Sequence, residues 1–181
     1  MKKTTFLLAF MFAAVTLIAQ KRMTTSATIN FDATTSSDKL PKAENKTVVA
    51  AIELRTGSIA FEAMIKSFSF SNPMMQDHFN GENWLESDKF PTATFKGKIT
   101  NFETINFMQD GTYFAEVSGD LTIHGMVKPV KATGYVSVAG KSISVVADFT
   151  IKLEDYGITG KAIDGGKIAK EPKVSVTADF K

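Results

Sequence analysis

The chain has 181 residues, 44% of them hydrophobic and 22% charged, which is the composition of one ordinary globular domain. It contains no cysteine, so disulfides, a thiolate nucleophile and cysteine-ligated zinc or iron–sulfur clusters are excluded. Twenty-one Lys and Arg stand against nineteen Asp and Glu; setting Lys2 and Lys3 aside balances the signs, which argues against nucleic acid as a partner.

Met1-Lys2-Lys3 is a short basic start, and the chain from Phe6 to Ala19 is apolar apart from Thr16. This pattern, closed by a small residue, predicts a secretory signal over residues 1–19, cut after Ala19. A retained anchor would need about 20 apolar residues, more than this run supplies. With no cysteine behind it, a bacterial lipoprotein is excluded. Residues 20–181 are then one domain, expected in a bacterial periplasm or secreted, with no stable membrane span after cleavage.

Beyond the signal, apolar residues recur with period two. Ala27, Ile29 and Phe31 share a face; residues 32–46, rich in Ser, Thr, Lys and Asp, read as a surface loop. Val48, Ala50, Ile52 and Leu54 follow, then the turn Arg55-Thr56-Gly57-Ser58, then Ile59, Phe61, Ala63 and Ile65. Asn72-Pro73-Met74-Met75 breaks the rhythm. An N-cap candidate, Pro at the first helical position and Gly81 beyond predict a short helix, with Met75 and Phe79 on one face. A loop from Glu82 to Pro91 leads into Ala93, Phe95, Gly97 and Ile99.

Tyr113 to Ile123, Val130 to Val138, Ile143 to Leu153 and Val174 to Phe180 complete eight strands. The stretch from Asp155 to Lys170 is too long for a tight hairpin and is expected to cover one mouth of the fold. Eight half-buried strands joined by short turns predict an all-β protein, an eight-stranded antiparallel up-and-down β-barrel with one short helix. A β-sandwich is the alternative.

A barrel of this size is filled by side chains or holds one small ligand. Ten inward positions are Ala or Gly: Ala50, Ala63, Ala93, Gly97, Ala115, Gly119, Ala132, Gly134, Ala147 and Ala178. Small residues predict unoccupied apolar volume. Against that, Phe61, Phe95, Phe149 and Phe180 could fill it. Met74, Met75 and Phe79 could plug or gate one end, or simply pack as a capping helix.

Catalytic patterns are missing. His78 and His124 are the only histidines, and no ligand-spaced cluster surrounds them. His124 is expected to hydrogen-bond within its turn. No serine elbow or phosphate-cradling loop occurs, and Glu154 and Asp155, being adjacent, point to opposite faces. The reading is no enzyme, no metal and no cofactor.

Three motifs resemble the YceI-like family of lipid- or polyisoprenoid-binding domains. Asp88-Lys89-Phe90-Pro91-Thr92-Ala93-Thr94-Phe95 matches its Asp-x-(Phe/Tyr)-Pro-x-Ala-(Thr/Ser)-Phe run. Gly119-Asp120-Leu121-Thr122-Ile123-His124-Gly125 and Lys128-Pro129-Val130 match a second element, and Asp155-Tyr156-Gly157-Ile158 a third. The N-terminal third departs: the family's early Phe-x-(Ile/Val)-x-His-x-Gly strand is absent.

The resemblance implies an extended lipocalin-like barrel whose interior accommodates an isoprenoid, quinone-like or fatty-acyl molecule. It carries over a face rather than a fixed motif. On that face lie Ile52, Phe61, Ile65, Phe95 and Ile99, then Tyr113, Ala115, Val117, Leu121 and Val136. Ala147, Phe149 and Ile151 follow, with Met75 and Phe79 from the helix. Trp84 and the His124 turn are expected to be structural. The predicted function is an exported carrier or sequestering protein for a long-chain amphiphile. The alternative is a filled barrel acting through its surface in envelope stress. Oligomeric state and head group stay open.

Overall fold

The computed structural model describes residues 21–181. The predicted signal, residues 1–19, lies outside the described residues. Alternation is realised as nine strands: β1 (Lys21–Asp32), β2 (Lys42–Glu53), β3 (Ser58–Met64), β4 (Ser69–Phe70), β5 (Thr92–Ile99), β6 (Gly111–Ile123), β7 (Met126–Ala139), β8 (Ser142–Thr150) and β9 (Lys173–Phe180). All pairings are antiparallel. The order β1-β9-β8-β7-β6-β5-β3-β2 returns to its start because β1 also pairs with β2, so eight strands form a closed barrel. The two residues of β4 pair with the first turn of ladder on β2, outside the closed circuit. Closure leaves the long strands without free edges.

Burial alternates along the strands. On β6, Ala115, Val117 and Leu121 are buried while Phe114, Glu116 and Asp120 are exposed. The pairings place Glu53, Ile99, Val138, Ile143 and Phe180 at one end of the barrel, which also carries the loop 100–110. Phe31, Ala93, Ile123, Phe149 and Val174 lie at the other. That second end collects the segments 33–41, 65–91 and 151–172; it is called the mouth below.

β2 begins at Lys42, inside the segment expected to be a loop, so only residues 33–41 connect β1 to it. The cause is a bulge. Asn45 and Val48 are both fully buried, with the exposed Lys46 and Thr47 between them, which hides the period-two signal. The Asn45 amide pins this bulge. Its Nδ2 donates to Met64 O at 3.0 Å, and its Oδ1 accepts from the Thr47 amide at 2.9 Å and hydroxyl at 3.0 Å.

The predicted helix is α1 (Pro73–Asn80), capped by the Asn72 side chain accepting from Met74 N and ended by Gly81. A second helix, α2 (Lys161–Asp164), lies in the mouth-covering stretch and was not foreseen; it is one turn, too short for a periodic signal. β8 ends at Thr150, and Leu153 opens a 3-10 turn through Tyr156.

Three of the small inward residues have a local steric cause: Gly134, where a Cβ would strike the Val146 carbonyl of β8, and the pair Gly97 and Gly119. Gly97 and Gly119 face each other across β5 and β6. A Cβ on Gly97 would come within 2.5 Å of Phe95 Cζ, and one on Gly119 within 2.7 Å. The Phe95 ring covers both glycines, so this part of the wall is filled by an aromatic ring.

Candidate functional site

The mouth half of the barrel encloses an apolar cavity of about 130 Å³. Its wall takes residues from β1, β3, β5, β6, β7, β8 and β9, and Thr94 is the only residue with a polar uncharged or charged side-chain group apart from the Trp84 indole. Such a surface offers nothing to orient a reacting group. It can exclude water and make dispersion contacts with an apolar guest.

Nine of the fifteen residues singled out from sequence border this cavity. Phe61, Ile65 and Phe95 lie on the β3–β5 side, Val117 and Leu121 on β6. Ala147, Phe149 and Ile151 come from β8 and its continuation, and Phe79 from α1. Met75 borders a second space outside the barrel. Ile52, Ile99, Tyr113, Ala115 and Val136 border neither; they belong to the opposite end, where the Tyr113 hydroxyl donates to Gln109 O at 2.9 Å. Of the ten small inward residues, only Ala63, Ala93, Ala132 and Ala147 border the cavity. Trp84, expected to be structural and left out of the predicted wall, lines both spaces. Its position in a loop, outside any strand rhythm, concealed that.

The second space is a basin of about 630 Å³ above the mouth, bounded by the 33–41 loop, α1 with residues 81–84, and residues 159–168 around α2. Its rim carries both signs: Asp38, Asp77 and Glu82 as well as Lys161 and Lys167. Phe31, Phe79 and Trp84 are common to both spaces. Phe79 is clasped by Phe31, Phe68 and Phe70, with ring centroids 5.9, 5.6 and 4.9 Å away. Gln76 ties the helix to the barrel: Nε2 donates to Phe68 O at 2.6 Å, and Oε1 accepts from Phe70 N at 3.2 Å.

The segments over the mouth are held by polar bonds. Residues 151–172 are stapled by Ile151 N to Pro172 O, Leu153 N to Lys170 O and Ala169 N to Ala33 O. His124 bonds across the fold, contrary to the expectation of a bond within its own turn. Its Nδ1 donates to Tyr156 O at 3.0 Å, and Nε2 lies 3.3 Å from Glu86 Oε1. His124 and Gly125 both have positive φ, as the two-residue turn between β6 and β7 requires. A Cβ at Gly125 would strike the Phe90 ring at 2.6 Å.

The Lys89 ammonium, then the His124 bond, hold the Glu86 carboxyl below its ordinary range against the opposing effect of burial. Burial raises Asp32, but two bonds from Thr34 and the Lys42 ammonium outweigh it and leave it lowered. Burial, with a smaller contribution from the Asp155 charge, pushes the Tyr156 phenol up to about 12, so it stays protonated. Among the described residues no cluster of His, Asp and Glu could hold a metal ion, and no helix is long and apolar enough to cross a membrane.

Phe90, whose ring lies 4.8 Å from that of His124, His124 itself and Tyr156 come from the three sequence motifs singled out above, which thus meet at one point beside the mouth. A family model, the YceI-like domain, matches residues 13–180. The chain belongs to the YceI-like family. Among curated relatives, a UPF0312 protein of Pseudomonas putida is 31% identical over 117 residues, covering 61% of this chain and 52% of its own length. A UPF0312 protein of Pseudomonas fluorescens is 30% identical over 116 residues, covering 61% and 57%. The chain thus spans little more than half the length of these relatives.

Two solved structures share the fold of this YceI-like barrel. A polyisoprenoid binding domain from Saccharophagus degradans, implicated in plant cell wall breakdown, has a TM-score of 0.73 at 13% identity, covering 90% of this chain and 98% of that one. Burkholderia cenocepacia BcnA has a TM-score of 0.72 at 20% identity, covering 86% and 96%.

Proposed function

We propose that this protein is an exported binding protein that takes the apolar chain of an isoprenoid, quinone-like or fatty-acyl amphiphile into the mouth half of its barrel. The observation that carries this reading is the cavity wall, continuous and apolar around seven strands. Each methylene moved from water into such a wall contributes about 0.8 kcal/mol before ordering costs. Binding then needs no charged contact. The polyisoprenoid binding domain of similar fold supports the class of guest. The basic and apolar start of the chain supports export. Binding rather than turnover fits a wall with no titratable group on it.

The test is native mass spectrometry and lipid extraction of protein purified from the envelope, followed by titration with cis-parinaric acid. A long-chain lipid at near-stoichiometric level, displaced by the added acid, is the expected result. Lipid-free protein that takes up no parinarate would overturn the reading.

A second reading, surface recognition, has its own observation. Phe114, Tyr135 and Val146 stand in register across β6, β7 and β8 on the outer face, 48%, 55% and 42% exposed. Lipid-free protein would favour it.

A further inference from the structure

The cavity is too small for the guest that its wall suits. A dry cavity of about 150 Å³ holds one benzene; the barrel cavity, at about 130 Å³, is of that order. A long chain needs more room. The adjoining basin supplies about 630 Å³, and the two spaces meet at Phe31, Phe79 and Trp84.

These three side chains differ in how they are held. Phe31 sits on β1, which is paired on both sides. Phe79 and Trp84 sit on an eight-residue helix and the loop behind it, outside the closed sheet. The hydrogen bonds that fasten α1 to the barrel come through Gln76, onto Phe68 and onto Phe70 of the short β4. Moving the Phe79 ring breaks no ladder bond of the barrel.

We propose that the cavity and the basin are two parts of one ligand path, and that Phe79 is its gate. In this structure Phe79 is only 7% exposed and borders both parts, with Phe31 and Trp84 beside it. A guest chain enters from the basin, displaces Phe79 from the Phe31–Phe68–Phe70 clasp and extends into the barrel, its remainder lying in the basin. The identity of the guest rests on the function proposed above. The path itself can be tested without any lipid.

Because the chain has no cysteine, Ala147→Cys places a single thiol on the cavity wall. Its rate of modification by methyl methanethiosulfonate reports access to the interior. With Phe79 in place the thiol reacts slowly. Adding Phe79→Leu, or Phe79→Met should the first variant not fold, is expected to raise the rate by about tenfold, as access scales with the population of locally open states. Phe107→Ala, which loosens the loop at the opposite end, leaves the rate unchanged. Equal rates with and without the Phe79 substitution, or acceleration by Phe107→Ala instead, would overturn the gate. A gate that responds in a protein that binds no lipid would overturn the proposed function and leave the path standing.

Discussion

The two ends of the barrel are built from the same strands and packed differently. At the end carrying loop 100–110, Ile52, Val136 and Phe180 are at most 1% exposed, and Ala115 is 3% exposed beneath them. At the mouth, Ala93, Ala132 and Ala147 border open volume, and an aromatic clasp from outside the sheet closes it. Small residues therefore mean opposite things at the two ends. Ala115 and Ala178 are buried in filled core, whereas Ala93, Ala132 and Ala147 border open volume. A barrel that is solid at one end and hollow at the other keeps its stability apart from its cavity.

Truncation probes this contrast most strongly. Ile52→Ala, in the solid end, is expected to cost roughly 2–5 kcal/mol. Leu121→Ala, whose side chain already faces a void, should fall at the low end of that range because fewer contacts are lost. Chemical denaturation of the two variants checks this, and equal costs would erase the difference between the ends.

Enlargement works the other way. Ala115→Phe forces a ring into filled space and is expected to cost about 1–3 kcal/mol. Ala147→Phe should leave the melting temperature nearly unchanged while blocking uptake of cis-parinaric acid. If both variants lose stability equally, the mouth half is as full as the other.

The smallest effect concerns pH, because the mouth is secured by polar bonds where the far end is secured by packing. The Glu86 carboxyl lies below its ordinary value, so the stabilisation it contributes is present at neutral pH and above its unfolded-state value. It is lost as the pH falls through its lower folded value. The hydrogen-exchange protection factors of the amides in residues 81–91 should therefore fall in acid before those of β6 and β7 near Val136. Glu86→Gln should remove part of this dependence, and a variant with the wild-type profile would show that Glu86 does not secure the mouth.

Much of the fold could be read before the structure. Strict alternation marked the barrel strands, and Asn72, Pro73 and Gly81 marked α1, because each acts through local geometry. The first half of β2 was hidden by its bulge at Lys46 and Thr47. β4 escaped notice because two residues hold no period. In the site, eight wall residues followed from the inward face and Phe79 from the helix, but alternation cannot say where along the axis a void lies. The division of that face between a hollow and a solid end depends on which rings meet across the barrel. Phe95 over Gly97 and Gly119 is one case. Trp84 and the bond from His124 to Tyr156 depend on loops that meet only after folding.

The seam between β1 and β9 has a consequence for how the protein is made. The first strand of the barrel finds one of its two partners in the last, from Thr28 opposite Thr177 to Asp32 opposite Lys173. The cylinder cannot shut until the C-terminal residues have left the ribosome, and such distant pairing slows folding. Until β9 is available, β1 has only β2 to pair with, and the barrel holds an open seam.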